Sequence, residues 1–197
     1  MRRNGAASDR CHVLRMVEHG DVAPERHCPE TQNTAVMAKL SAGLLPYRFA
    51  DDGSLTVLLV HPGGPFWKNK DAHAWSIPKG EYEEGEDPER AAEREFREEL
   101  GLPVPGGPRI DLGAVRQASG KIVRAWAVRA EHLATEAVVS NRFEMEWPPR
   151  SGTMTEFPEV DRAQWMTVVE AGTRMVAAQV ELLDRLASAL VTELPVD

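Results

Sequence analysis

The sequence predicts an α/β protein in which helices cover both faces of a mixed β-sheet, an α/β/α sandwich. Three observations support this. Residues 39–60 hold two strand-like runs around a turn, residues 87–101 read as one helix with both ends marked, and residues 167–190 repeat apolar side chains at helical spacing. Further strand-like runs lie between the two helices. A sheet accompanied by two helices buries both of its faces only when it sits between them.

At 197 residues the chain is long enough for one domain with a sizeable core. Its net charge of −8 argues against a broad nucleic-acid surface, which needs a basic patch. A polyphosphate ligand would be repelled too, unless cations and local Lys or Arg reverse the field. No apolar run reaches the length of a membrane span, and Arg2-Arg3 is followed by no apolar stretch of the kind a secretory signal carries. A cytoplasmic protein without a membrane partner is expected.

Residues 1–36 are rich in charge, His and small polar side chains and hold no sustained period, which predicts a disordered extension. Both cysteines, Cys11 and Cys28, fall there and read as incidental thiols rather than a disulfide. The folded domain is expected over 37–190. In 39–49, Leu40, Ala42 and Leu44 alternate as in a strand. Asp51-Asp52-Gly53-Ser54 is turn chemistry, and 55–60 is an almost unbroken apolar run that suits a strand buried on both faces. These two strands form a hairpin. His61-Pro62-Gly63-Gly64-Pro65 breaks the chain and leads into a loop carrying Phe66 and Trp67; the Lys and Ser/Thr of a Walker phosphate loop are missing.

Residues 75–79 form a short strand leading into Gly80. Asp87 is a helix N-cap, Pro88 fits the first helical position, and Gly101 fits a left-handed stop. After a Pro-rich linker over 103–108, residues 110–118 and 122–130 form two strands around Ser119-Gly120-Lys121. Phe143, Met145 and Trp147 alternate within 138–147, 148–152 is a loop, and 162–166 is a last strand. Residues 167–190 then form one long helix whose apolar face covers the core, with a homodimer interface as the second reading.

Residues 80–102 carry the chemistry. On the helix they contain, Glu95, Glu98 and Glu99 are spaced i, i+3, i+4, which puts three carboxylates on one face beside the apolar stripe Ala92, Phe96 and Leu100. Like charges at that spacing repel by a few tenths of a kcal/mol per pair. Convergent oxygen ligands suit a hard divalent cation such as Mg2+, which turns the repulsion into attraction. A solvated acidic face is the plain alternative for glutamates alone.

The frame around them decides between the two. Gly80, Glu86, Arg94-Glu95-Phe96, Glu98-Glu99 and Gly101-Leu102 match every fixed position of the Nudix box, and the chain resembles the Nudix hydrolases. From average residue usage such a match arises by chance on the order of once in ten million. The resemblance implies a Nudix-type mixed sheet between helices. It also implies a Mg2+-dependent pyrophosphohydrolase, with Mn2+ as a substitute ion, that cleaves a nucleoside diphosphate linked to another group. By position, Glu95, Glu98 and Glu99 resemble the metal ligands, with Glu95 or Glu98 doubling as general base. Arg94 resembles the arginine that orients the carboxylates. Glu86, Gly80 and Gly101 resemble positions that shape the loop.

Pro78-Lys79-Gly80 is similar to the box entry of dinucleoside polyphosphate and diphosphoinositol polyphosphate hydrolases, which implies substrate binding at Lys79 and Gly80. A solvated lysine at a strand end is the alternative. Ser41-Ala42-Gly43-Leu44 and Phe157-Pro158-Glu159-Val160 add a weaker similarity to the diadenosine tetraphosphate hydrolase branch. A dinucleoside polyphosphate is therefore favoured over a nucleoside triphosphate, ADP-ribose, a nucleotide sugar or an inositol pyrophosphate. A nucleotide-sensing protein without turnover is the rival from another class. Glu144 and Glu146 are candidates for a ligand outside the box, with a surface role as the alternative. Of the five tryptophans, Trp67, Trp75 and Trp147 lie in or beside loops where a nucleobase can stack, whereas Trp126 and Trp165 read as core.

Overall fold

In a computed structural model of the chain, residues 38–193 are described. The expectations for 1–36, including its two cysteines, lie outside them. The strands are β1 Leu40–Phe49, β2 Leu55–Pro62, β3 Lys79–Glu81, β4 Arg109–Arg116, β5 Ile122–Arg129, β6 Arg142–Glu146, β7 Met154–Pro158 and β8 Val160–Thr167. The helices are α1 Pro88–Leu100, α2 Val168–Arg174 and α3 Glu181–Glu193.

Six strands form one mixed sheet in the order β4-β5-β1-β2-β8, with β3 added to β1. β1 pairs in parallel with β5 along most of its length and antiparallel with β2, as the expected hairpin. Alternation along these strands divides the core in two. Leu45, Tyr47, Val57, Leu59, Val123, Ala125 and Ala127 face α2 and α3, where Ala171, Leu182, Leu183 and Leu186 close the layer. Ala42, Leu44, Leu58, Val60, Trp126 and Val128 face α1, which buries Ala91, Ala92, Phe96 and Leu100 against them. The α/β/α sandwich and the two-sided burial of β2 are as expected.

Local signals account for α1. The Asp87 side chain accepts from the Arg90 amide at 2.9 Å, and Pro88 follows it in the first turn. Gly101 stops the helix at φ 65°, and its amide donates to the Arg97 carbonyl at 2.8 Å. A Cβ there would also lie 2.5 Å from the Val139 carbonyl oxygen, so the position needs glycine twice over.

Three elements differ from expectation. The single helix over 167–190 is two helices, broken at Met175–Val180. Met175 turns extended, and its segment pairs beside Trp75: the Trp75 amide donates to Arg174 and the Val176 amide to Trp75. The Gln179 side chain, fully buried, then accepts from the Ile77 amide at 3.1 Å. These bonds to a distant segment outweigh helical continuity. The strand expected over 75–79 is reduced to single bridges at Trp75 and Ser76. Pro78 has no N–H to donate, and the named strand begins one residue later. β2 runs on to Pro62, because His61 is fully buried between Asp161, 2.6 Å from its Nδ1, and the Lys70 carbonyl, which accepts from Nε2 at 2.7 Å. Beyond these changes, β7 was not foreseen and forms a separate two-stranded sheet with β6.

Candidate active site

The carboxylate face of α1 looks onto β3. The Lys79 amide donates to Glu99 Oε2 at 2.9 Å, which fastens the entry of the loop to the helix. At Gly80 the backbone passes so close to α1 that a Cβ would overlap the Glu95 carboxylate. The bare Cα is what gives that carboxylate its place. Arg94 organises the remainder. Its Nη1 donates to Glu95 at 2.6 Å and to Glu98 at 3.2 Å, its Nε to Glu86 at 3.3 Å, and its Nη2 to the Glu81 carbonyl at 3.3 Å. One guanidinium therefore ties two candidate ligands to the loop that precedes their helix.

The electrostatics are strained in the sense a cation would relieve. Burial pushes the Glu99 carboxyl up to about 7, with Glu95 and Glu159 adding to the effect and Lys79 opposing it. Burial also raises Glu95, against the pull of Arg94, and Glu98 and Glu159 raise it further. Lys79 is partly buried, and that burial lowers its proton affinity while Glu99 holds it up. A freely solvated lysine at a strand end does not describe it. Lys39 and Lys121 flank the same edge, 3.2 and 2.9 Å from Glu81.

Among the described residues, no three His, Cys, Asp or Glu side chains are already gathered closely enough to enclose a metal ion. The donors nonetheless fit one: all are carboxylate oxygens, two share a single arginine nitrogen, and the third is partly buried, with its charge disfavoured there. Glu95, Glu98 and Glu99 are the residues that could hold a hard divalent cation.

Glu144 and Glu146 are exposed on β6, and Glu146 accepts from the Gly152 amide at 2.6 Å. The residue that approaches instead is Glu159, whose charge is felt by both Glu95 and Glu99. Its backbone is held on two sides, the amide by the Asn141 carbonyl at 2.8 Å and the carbonyl by the Gly63 amide at 2.9 Å. Asn141 in turn donates to the Glu98 carbonyl at 3.2 Å. Sequence reasoning missed Glu159 as a site residue, although its Phe-Pro-Glu-Val setting was the available signal.

The tryptophans sort by burial. Trp75 is fully buried, donates to Asp71 at 2.9 Å and is unavailable for stacking, which corrects that expectation. Trp126 is core as expected, and Trp165 is partly buried beneath Arg48. Trp67 remains partly exposed, and Trp147 meets Phe66 edge to face at 5.3 Å.

Comparison with known proteins bears on the family and the fold. The family model for the NUDIX domain matches residues 37–186. Among solved structures, a C. elegans Ap4A hydrolase in a binary complex has a TM-score of 0.53 at 22% identity, covering 79% of this chain and 99% of its own. The NUDIX domain of Shewanella oneidensis NrtR, complexed with ADP ribose, has a TM-score of 0.54 at 17% identity, covering 78% and 88%. RenU, a Nudix hydrolase from M. smegmatis, has 0.51 at 22% identity, covering 81% and 89%. At these identities the likeness is one of fold.

Proposed function

Because the chain belongs to the Nudix family, as a hydrolase of phosphoric anhydride bonds, we propose that it is a Mg2+-dependent pyrophosphohydrolase acting on a nucleotide-type diphosphate, with dinucleoside polyphosphates favoured. The observation that carries this is the carboxylate face of α1: Glu95 and Glu98 on one arginine nitrogen, and partly buried Glu99 on the Lys79 amide.

Glu95, Glu98 and Glu99 would hold the divalent cation, which would supply positive charge against the diphosphate and make the attacking water more acidic. The chain's own residues do the rest. Lys79 offers its ammonium to a phosphate oxygen, at an edge where Lys39 and Lys121 offset the overall negative charge. Arg94 holds Glu95 and Glu98 in fixed relation, so little reorganisation is left for the reaction step. The proton of the attacking water passes to Glu95 or Glu98, the two carboxylates tethered by that arginine. Glu159, whose charge acts on both Glu95 and Glu99, is the candidate for a ligand outside the box.

The test is a panel of dinucleoside polyphosphates, nucleoside triphosphates, ADP-ribose, nucleotide sugars and inositol pyrophosphates, with Mg2+ or with excess chelator, read by product identity. Turnover of a dinucleoside polyphosphate that stops with chelator is the expected result. Nucleotide binding with no turnover on any member would overturn the reading in favour of a sensor.

A further inference from the structure

Glu159 lies between Pro158, the last residue of β7, and Val160, the first of β8. Peptide units are planar, so the direction of a side chain off the backbone follows from two soft dihedrals, one on each side of its Cα. Both are held at Glu159. The peptide unit before it carries the Glu159 amide, which donates to the Asn141 carbonyl at 2.8 Å. The other end of that unit is the Pro158 carbonyl oxygen, and Gly63 packs so close that a Cβ there would overlap it. The unit after Glu159 is pinned at both ends. Its carbonyl, that of Glu159, accepts from the Gly63 amide at 2.9 Å. Its N–H, that of buried Val160, donates to the Ser140 hydroxyl at 2.9 Å.

Ser140 does more than accept. Its Oγ donates to the Asn141 carbonyl at 3.0 Å, the same oxygen that takes the Glu159 amide. One hydroxyl therefore joins the two peptide units that flank Glu159. Of the groups in these bonds, it alone belongs to a side chain. Gly63 contributes by lacking one: its φ is not positive, so what it offers is room rather than an unusual conformation. The Glu159 carboxylate itself takes no hydrogen bond or ion pair among the described residues, yet its charge reaches both Glu95 and Glu99. What fixes its direction is the backbone.

We propose that Ser140 and Gly63 are positioning residues that clamp the peptide units around Glu159 and so aim its carboxylate, as a ligand, toward the divalent cation of the α1 carboxylate face. This rests on the hydrolase reading above and adds the residues that set how tightly the ion is held. A carboxylate on a clamped backbone has lost freedom before the ion arrives, so less is lost on binding.

Binding of Mn2+ without substrate is read from the electron paramagnetic resonance signal of the free ion, and melting in excess chelator checks that each variant is folded. Ser140→Ala removes the hydroxyl and should weaken Mn2+ binding about tenfold, with the same factor in the Mg2+ concentration that gives half-maximal turnover. Ser140→Thr, which keeps the hydroxyl, should restore most of the affinity. Gly63→Ala should match Ser140→Ala; if it does not fold, the Ser140 variants decide. Glu159→Gln should weaken Mn2+ binding at least as much, and adding Ser140→Ala to it should weaken binding no further. Unchanged affinity in folded Ser140→Ala, Gly63→Ala or Glu159→Gln overturns the proposal. So does a further tenfold loss in the double variant, which would show that Ser140 acts on the cluster by another route. Failure of the hydrolase reading shows differently, as no turnover on any diphosphate in the unaltered chain.

Discussion

Gly80→Ala separates the geometry of the carboxylate face from the stability of the fold. Gly80 sits in β3, paired with Ala42 of β1, and its φ is not positive, so alanine strains no backbone there. The three atoms nearest the added methyl all belong to the end of the Glu95 side chain, a group that can rotate away. Replacing a strand glycine gains about 0.5–1 kcal/mol through the unfolded chain. Forcing Glu95 off its rotamer costs about 0.5–1.5 kcal/mol. The net change is within about 1 kcal/mol, or about 2–4 °C in Tm for a domain of this size. Glu95, however, must shift by about 1 Å or more to regain van der Waals separation, which breaks its 2.6 Å bond to Arg94. Misplacement on that scale costs about 10²-fold in rate. Calorimetry and steady-state kinetics with Mg2+ on the same sample provide both numbers. A variant with unchanged kcat would show that Glu95 is not needed where it stands. A fall in Tm well beyond 4 °C would show that the methyl disturbs the sheet instead.

Glu98→Gln and Glu99→Gln keep size and remove charge, and each should lower kcat by about 10²-fold or more. Glu89→Gln, on the first turn of α1 and away from the cluster, should leave kcat unchanged and cost at most about 1 kcal/mol in a melting experiment. The raised Glu99 carboxyl, about 7 against 4.5 for the free side chain, holds its proton longer in the folded state than in the unfolded one. The metal-free protein should therefore lose up to about 3 kcal/mol as pH climbs from about 4.5 through about 7. Glu99→Gln should accordingly gain Tm over the unaltered chain between pH 5 and pH 8 in chelator; a pH-independent difference would refute the shift. His61→Phe keeps a ring in the core but leaves the Lys70 carbonyl and Asp161 without their partner. It should cost about 2–4 kcal/mol and speed proteolytic nicking between residues 62 and 75, monitored by limited digestion.

What could be read from the sequence was what local spacing encodes. The caps of α1, its carboxylate face and the glycine that ends it all follow from residues within one or two turns of each other. The core-facing alternation of β1 and β2 is equally local. Readings that failed depended on partners far along the chain. Residues 167–190 hold a helical period throughout, and nothing nearby shows that Trp75 and Ile77, a hundred residues earlier, take the bonds that break it. β7 exists only because β6 supplies its partner. Trp75 looked like a loop aromatic, because its burial depends on the break in that same helix. Among the acidic residues after the box, Glu144, Glu146 and Glu159 are alike in composition. Only the fold brings the third toward Glu95 and Glu99.

The bonds joining α1 to Glu159 run entirely through main-chain atoms. Val139 and Asn141 donate to the Leu100 and Glu98 carbonyls, and the Asn141 carbonyl accepts from Glu159. Side-chain replacement at 139 or 141 cannot remove these bonds, except by proline, which lacks the N–H. The registration of Glu159 against the helix is therefore insulated from mutational drift in the hairpin that hangs from it. Residues 143–157 can be exchanged wholesale, by chance or by an engineer, while the carboxylates keep their positions. New substrate preferences are thus open to a lineage of this chain without rebuilding its chemistry.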